Sequence, residues 1–251
     1  MKHAVVTGAA SGIGLDCCAD LVARGWRVFA LDKSTENLAR ASASFAAAGE
    51  RFVTIACDVA DSRSVASAFA TIGSAAPSLD ALVCSAGIFR TGPLLEMAEK
   101  DFDDLFAVNT KGAWLSARAA LPLLERAARP DAPARIVFVA SIAAIRPKVG
   151  GGAYAASKAA LAQLTRVLAV EMARKSILVN AIAPATVDTP MTRALATNKD
   201  YKLSGISPLG RVAMPSDVTA VIRFLLSSDA NYLAGAILPI DGGTSAAFDP
   251  R

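Results

Sequence analysis

The chain has 251 residues, of which 53% are hydrophobic and 19% are charged, and this composition excludes a disordered, solvating chain. The net charge of +4 comes from 26 basic and 22 acidic residues. Because no basic block of five or more occurs, we expect no nucleic-acid partner.

Seven short apolar runs predict β-strands, because each is rich in β-branched or aromatic residues and is bounded by Gly, Pro, Asp or Ser. They are Ala4–Thr7, Arg27–Leu31, Phe52–Cys57, Ala81–Cys84, Ile136–Ala140, Leu178–Ile182 and Ala236–Ile240. Longer Ala-rich stretches between them predict helices at Gly12–Arg24, Ser34–Ala47, Ser62–Ile72, Lys100–Ala127, Ala153–Ala173 and Pro215–Leu226. The alternation predicts an α/β fold, a doubly wound parallel sheet of about seven strands with helices on both faces.

The alternation is interrupted once, at residues 189–214, which contain Gly205, Pro208 and Gly210. Ligands of parallel α/β sheets lie outside the carboxyl ends of the strands. We therefore expect this stretch to form a substrate lid, with a plain surface loop as the alternative. No Pro/Ser/Gly-rich linker divides residues 1–251, so we expect one domain.

The cysteines and the single histidine restrict the chemistry. Cys17, Cys18, Cys57 and Cys84 lack the spacing of a metal site, and His3 cannot supply the missing ligands. We therefore expect no metal, and we interpret the cysteines as reduced core residues. No apolar stretch reaches 18 residues and the first apolar run is short, which predicts a cytoplasmic protein without a membrane partner.

A glycine-rich turn follows the first strand, with the spacing G-x-x-x-G-x-G. Glycines permit a tight turn and let backbone amides approach a pyrophosphate, which then rests on a helix N-terminus. The position between a predicted strand and helix favours dinucleotide binding. The candidate residues are Gly8, Ser11, Gly12, Ile13 and Gly14.

The second strand is followed by Asp32, twenty positions beyond Gly12. A carboxylate there accepts hydrogen bonds from ribose hydroxyls and repels a 2′-phosphate, which favours NAD over NADP. The neighbouring Lys33 would soften that repulsion. A turn or helix-cap role for Asp32 remains the alternative.

Tyr154 and Lys158 are four positions apart in a predicted helix, so their side chains share a face. A free phenol has a pKa near about 10, too high for a base at neutral pH. An ammonium ~4–5 Å away contributes roughly 3–4 kcal/mol at an effective dielectric constant near 20. That is roughly 2–3 pKa units, enough to bring the phenol into working range. Ser141 follows the fifth strand, thirteen positions before the tyrosine.

These motifs together make the chain resemble the short-chain dehydrogenase/reductase family, in its short single-domain branch, over essentially its whole length. The resemblance implies a Rossmann-type fold. Further matching positions are Asp58-Val59, Cys84-Ser85-Ala86-Gly87, Asn109, the segment Pro184–Thr189 and Asp241-Gly242-Gly243.

The resemblance implies four catalytic residues. Tyr154 would exchange a proton with the substrate oxygen, and Lys158 would lower its pKa and bind the nicotinamide ribose. Ser141 would polarise the substrate carbonyl. Asn109 would hold a water that links Lys158 to solvent. The alternative role for Asn109 is to bridge backbone groups at a helix kink. The alternative role for Ser141 is to cap a helix or turn.

The resemblance also implies cofactor contacts. Asp58 and Val59 would contact the adenine, and Val187 and Thr189 would hold the carboxamide, with a helix-cap role for Thr189 as well. Asp241 is better interpreted as a turn residue. The remaining implied cofactor-binding positions are Ser85, Ala86, Gly87 and Pro184.

The sequence departs from the family pattern in two places. Cys84 and Ser85 replace two asparagines after the fourth strand, which changes the side-chain bracing there. Ala185 replaces a glycine, and its methyl group would narrow the nicotinamide side of the pocket. Arg90 and Arg146 stay open as anchors for a substrate anion, with surface solvation as the alternative.

We therefore predict an NAD-dependent oxidoreductase that interconverts a secondary alcohol and a ketone, with a homo-oligomer, tetramer or dimer, as its expected assembly. An NADPH-dependent 3-oxoacyl-thioester reductase is the alternative enzyme, although Ser11 and Asp32 oppose it. A catalytically silent NAD-binding regulatory protein is the alternative of another class.

Overall fold

The computed structural model describes residues 1–197 and 205–247. Seven parallel strands form one sheet in the order β3-β2-β1-β4-β5-β6-β7. This confirms the doubly wound parallel sheet. The strands are β1 (His3–Thr7), β2 (Arg27–Asp32), β3 (Phe52–Ala56), β4 (Ala81–Cys84), β5 (Ala134–Val139), β6 (Ile177–Pro184) and β7 (Ile237–Ile240).

Helices cover both faces of the sheet. In the described residues they are α1 (Gly12–Ala23), α2 (Thr35–Ser44), α3 (Ser62–Ala75), α4 (Glu99–Phe106), α5 (Ala113–Ala127), α6 (Gly152–Ala173), α7 (Pro190–Ala196) and α8 (Pro215–Leu225). None of these helices has the combination of length and hydropathy needed to cross a bilayer.

The strand sequences alternate between two cores because successive side chains point to opposite faces. Val5 of β1 joins the core formed with α3, α5 and α6, and Ala4 and Val6 join the core formed with α1 and α8. The strand order reverses between β1 and β4, which opens a crevice at the carboxyl ends of the strands. All four cysteines are buried and unpaired, as expected for core residues.

The predicted continuous helix Lys100–Ala127 was wrong. The structure divides this stretch into α4, a π-helical turn at Ala107–Gly112 and α5. Two tertiary contacts accompany the turn: Asn109 bonds the backbone of Ile88, and Gly112 lies against Val59. Such contacts leave no trace in helical periodicity, and π-helical turns frequently occur at functional sites.

Two further boundaries differ from the prediction. The helix predicted to reach Ala47 ends at Ser44, and a 3-10 helix follows at Ala46–Arg51. The stretch predicted as irregular begins with α7, whose capping box joins Thr189 and Thr192. Residues 198–204 of the predicted lid lie outside the described residues.

Candidate active site

A cavity of about 300 Å³ opens at the carboxyl ends of the strands. Almost every residue singled out in the sequence lines it. These are Gly8, Ser11, Gly12, Ile13, Asp32, Lys33, Asp58, Val59, Ser85, Ala86, Gly87, Ser141, Tyr154, Lys158, Pro184, Val187 and Thr189. Gly14 and Asn109 do not line the cavity, but they contact the lining residues Gly8 and Ile88.

The glycine-rich turn is held by close backbone packing. Gly8 and Gly12 have φ of +64° and +51°, which L side chains rarely adopt. A Cβ on Gly8 would lie 2.7 Å from the Ala86 backbone nitrogen, and a Cβ on Gly14 would lie 2.1 Å from the Gly8 carbonyl oxygen. Gly14 therefore permits the turn itself, while the other two glycines also line the cavity.

The Asp32 carboxylate is oriented by two backbone amides. It accepts hydrogen bonds from Ala10 N at 3.2 Å and from Ser34 N at 2.9 Å. Each oxygen keeps a free lone pair for a ligand hydroxyl, so the turn role and the ribose role are compatible. Lys33 and Asn37 line the same end of the cavity. Sequence reasoning missed Asn37, which lies in the first turn of α2, five positions after Asp32.

The loops after β3 and β4 form the next wall. The Asp58 carboxylate accepts from Ala60 N at 2.9 Å and so orders its own turn. Thr7, at the end of β1, braces the β4 loop: its backbone oxygen accepts from Ser85 N and its hydroxyl accepts from Ala86 N, both at 3.2 Å. Sequence reasoning missed this role of Thr7.

Lys158 is a buried cation at the opposite end of the cavity. Its side chain lies on α6 with Tyr154, and its Nζ is 5.9 Å from the centre of the tyrosine ring. The ammonium donates to the Val139 carbonyl at 2.8 Å. Burial lowers the pKa of Lys158 from 10.5 to about 8, opposed by the nearby Cys84 thiol. The side chain therefore still carries its charge at neutral pH.

Ser141 follows β5 and shares this end of the cavity. Its Oγ accepts from Ala143 N at 3.1 Å and caps the 3-10 helix Ile142–Ala144. The cap role anticipated as an alternative is therefore present. It uses an acceptor site only, so the hydroxyl proton remains for a ligand oxygen.

Asn109 is fully buried in the π-helical turn. Its Oδ1 accepts from Ile88 N at 2.9 Å, and its Nδ2 donates to Ile88 O and to Ser157 Oγ, both at 3.0 Å. Ser157 in turn donates to the Tyr154 carbonyl at 2.7 Å. The side chain thus bridges backbone at a helix kink, the alternative considered for it, and ties the β4 loop to α6.

The aromatic ring that follows Ile88 reaches the tyrosine. The rings of Phe89 and Tyr154 lie 4.3 Å apart between centroids and are tilted by 44°. The Asn109 bonds to Ile88 therefore place an aromatic wall beside the phenol. Nothing in the spacing of Phe89 along the sequence indicates this ring contact.

The segment after β6 closes the cavity. The Thr189 side chain accepts from Thr192 N at 3.3 Å, so Thr189 does act as a helix cap, and Thr192 Oγ1 donates to the Val187 carbonyl at 2.5 Å. Ala185 lines the cavity here, as its substitution for glycine led us to expect. Other residues that line the cavity were not predicted as site residues, although each lies close in sequence to a predicted one. They are Cys57, Val108, Val139, Ala140, Pro190, Met191 and Thr192.

The two arginines considered as anion anchors are engaged elsewhere. Arg90 pairs with Asp101 at 3.2 Å, and Arg146 donates to the Thr244 carbonyl at 2.7 Å. Neither lines the cavity. Asp241 accepts from Gly243 N and from Ser245, as expected for a turn residue.

Comparisons with known proteins agree with this arrangement. A family model described as enoyl-(acyl carrier protein) reductase matches residues 8–245. The galactitol 2-dehydrogenase (L-tagatose-forming) of Cereibacter sphaeroides is 37% identical over 96% of this chain and 93% of its own.

Two solved structures are similar throughout. The 3-ketoacyl-(acyl-carrier-protein) reductase of Brucella melitensis complexed with NADH has a TM-score of 0.88 and 27% identity, covering 97% of this chain and 98% of its own. The RhlG/NADP active-site complex of Pseudomonas aeruginosa has a TM-score of 0.89 and 31% identity, and the match covers 97% of this chain and 96% of its own.

The family model covers most of the chain, and the relatives match it nearly end to end. The seven-stranded sheet and the cavity at its carboxyl ends agree with that assignment. The chain belongs to the short-chain dehydrogenase/reductase family and is an oxidoreductase that uses a nicotinamide cofactor.

Proposed function

We propose that the protein is an NAD-dependent oxidoreductase that interconverts a secondary alcohol and a ketone. One observation carries this proposal: a single cavity has Asp32 at one end and Ser141, Tyr154 and Lys158 at the other. A carboxylate that can bind the ribose hydroxyls and a group that can exchange a proton with an alcohol therefore line the same cavity. The similarity to galactitol 2-dehydrogenase, which by its name oxidises a secondary alcohol, supports the reaction class.

The lining residues fit a dinucleotide. The positive-φ glycines bring backbone close to the N-terminus of α1, where a pyrophosphate is favoured. We assign Asp32 to the adenosine ribose, Asp58 and Val59 to the adenine, and Val187 and Thr189 to the carboxamide. When bound, the nicotinamide accepts or donates the hydride.

The protein's own contribution is to hold and move a proton. During oxidation the alcohol proton passes to the Tyr154 oxygen, while Ser141 donates a hydrogen bond to the same substrate oxygen. The Lys158 ammonium, whose buried position leaves it few competing partners, stabilises the phenolate. Proton transfer of this kind contributes about 10²–10⁴-fold in rate. Reduction runs through the same groups in reverse.

The cofactor preference is tested at Asp32. A 2′-phosphate beside this carboxylate would cost several kcal/mol, so we expect kcat/KM with NAD to exceed that with NADP by about 100-fold. Asp32→Ala should lower this ratio by at least about tenfold. Glu36→Ala is the matched control, because Glu36 lies in the same region, is highly exposed and does not line the cavity. A wild-type preference for NADP would reject the proposal.

The second candidate is an NADPH-dependent 3-oxoacyl-thioester reductase. The structural similarity to a 3-ketoacyl-(acyl-carrier-protein) reductase favours it. Ser11 and Asp32 oppose it, because neither offers a positive charge to a 2′-phosphate. Reduction of acetoacetyl thioesters with NADPH at a higher kcat/KM than any simple ketone with NADH would select this candidate.

We also propose one domain over residues 1–251, with 189–214 as the lid, working in the cytoplasm as a homo-oligomer. The unpaired buried thiols suit a reducing compartment. Large apolar side chains exposed on α4, α5 and α6 suit a subunit contact; they are Phe102, Trp114, Val167 and Val170. Sedimentation analysis checks the assembly, and slower proteolysis within 189–214 when NAD and substrate are bound checks the lid.

A further inference from the structure

The exposed charged groups of the cavity lie in its cofactor half. Among the described lining residues, Asp32, Lys33 and Asp58 stand at the adenosine end, whereas Lys158, at the reaction end, is only 4% exposed. Apart from Lys158, the described lining residues around the phenol are uncharged. Arg90 and Arg146 bond other partners, as described above. Among the described residues that line the reaction end, Lys158 is the one cation, and it is buried with its ammonium bonded to the Val139 carbonyl, so it is poorly placed to bind a carboxylate or phosphate on the substrate.

Two loops beside this end expose an apolar rim, which we define as Leu94, Leu95, Ile145 and Val149. Their exposed fractions are 54%, 99%, 49% and 95%. The loops are joined to each other, because Gly92 N donates to the carbonyl of Gly150 at 2.9 Å. Four large apolar side chains thus stand in water on one joined pair of loops.

The apolar rim lies close to the reacting group. Phe89 belongs to the same β4 loop as Leu94 and Leu95, and its ring packs on Tyr154. Leu94 also lies beside α6 at Gly152, two residues before the tyrosine, where its side-chain atoms come within 3.6 Å of an added Cβ. Two apolar side chains of the β4 loop therefore lie against or near the helical turn that carries the phenol. Clustered exposed apolar side chains at the mouth of a cavity mark a binding surface.

We propose that the substrate carries an uncharged apolar group of several carbons, which leaves the reaction cavity past Phe89 and lies across the apolar rim. This inference rests on the proposed secondary-alcohol chemistry. It names a substrate class within that chemistry, secondary alcohols and ketones with an extended hydrocarbon substituent, rather than polyols or hydroxy acids.

The first test is a chain-length series. We measure kcat/KM with NAD for the straight-chain 2-alkanols from 2-butanol to 2-nonanol, and for galactitol. Each methylene that leaves water should raise kcat/KM by about two- to fourfold. Leu95→Ser/Val149→Ser should lower the ratio of 2-nonanol to 2-butanol by about tenfold. Tyr232→Ser is the matched control and should keep the wild-type ratio, because Tyr232 is fully exposed between α8 and β7 and does not line the cavity.

A second readout separates this inference from the proposed function. Dissociation constants of the 2-alkanones for the Tyr154→Phe protein with NADH, followed by NADH fluorescence, report binding without turnover. Dissociation constants that fall with chain length would support binding of the hydrocarbon chain at the rim. If no alcohol is oxidised in that case, only the proposed function fails. The inference would be overturned if the enzyme turned over 2-alkanols but neither kcat/KM nor the dissociation constants of the 2-alkanones changed with chain length. A preference for galactitol, or burial of the rim between two copies in solution, would also overturn it.

Discussion

The two ends of the cavity are built in different ways. At the cofactor end, Gly8 follows β1, Asp32 ends β2 and Gly14 lies in the first turn of α1. Backbone packing and backbone amides orient them. At the reaction end, Tyr154 and Lys158 depend on contacts with the β4 loop, β5 and the π-helical turn. The cofactor end is therefore held largely by the neighbouring elements β1, α1 and β2, with Gly8 also packed against Ala86 of the β4 loop, whereas the reaction end is assembled mainly from segments far apart in the sequence.

The largest expected effect is at the reaction end. Tyr154→Phe removes the proton-transfer group but keeps the ring that packs on Phe89. We expect kcat to fall by about a thousandfold. The dissociation constant for NADH, measured by fluorescence, should stay the same because the cofactor end is untouched. Full activity in this variant would remove the basis of the proposed chemistry.

The next effect tests the backbone packing of the cofactor end. Gly14→Ala places a methyl carbon 2.1 Å from the Gly8 carbonyl, so the turn must move. We expect a loss of about 3 kcal/mol in the free energy of unfolding and weaker NADH binding. Gly25→Ala is the control, because Gly25 has φ of +81° and no atom within 4 Å of an added Cβ. Backbone strain alone should cost it about 1 kcal/mol. If urea unfolding showed the same loss of stability for Gly14→Ala and Gly25→Ala, the packing argument would be contradicted.

A smaller effect reports the cost of the buried cation. Below pH 8 Lys158 is charged in both the folded and the unfolded chain, and burial then penalises the fold. Lys158→Met should therefore raise the free energy of unfolding at pH 7 by about 2 kcal/mol, after allowing for the unpaired Val139 carbonyl. The same variant should be nearly inactive.

The pH dependence of that difference has a definite sign. Between pH 8 and 10.5 the folded chain releases the Lys158 proton before the unfolded chain does, so this group makes wild-type stability rise with pH. The gap between Lys158→Met and wild type should shrink across this window. Urea unfolding at pH 7 and pH 10 measures it, and a gap independent of pH would show that burial does not set the lysine pKa.

The smallest effect is at the brace between β1 and the β4 loop. Thr7→Val keeps the shape of the side chain but removes the acceptor for Ala86 N. We expect a loss of about 1 kcal/mol in the free energy of unfolding. The KM for NAD should rise by a few fold with kcat unchanged, because Ala86 lines the cavity. A change in kcat instead would mean that the brace serves the reaction end.

The sequence predicted most of the fold because strands and helices follow local periodicity. All seven predicted strands are present, and no strand end differs from its predicted position by more than two residues. The error at Lys100–Ala127 arose because the π-helical turn accompanies contacts with Ile88 and Val59, which lie far away in the chain. The site roles remain predictions, although all but Gly14 and Asn109 of the proposed catalytic and cofactor-binding residues line one cavity.

Local sequence is enough to specify the alternation of strands and helices, the glycine-rich turn, the position of Asp32 at the end of β2, and the shared helical face of Tyr154 and Lys158. Each depends on residues within a few positions of one another, where backbone geometry fixes the outcome. By contrast, the bond from Asn109 to Ser157, 48 positions away, and the bond from Ala86 to Thr7, 79 positions away, became visible only in the folded chain. Those hydrogen bonds form between side chains and backbone that folding brings together, so no local pattern in the chain specifies them.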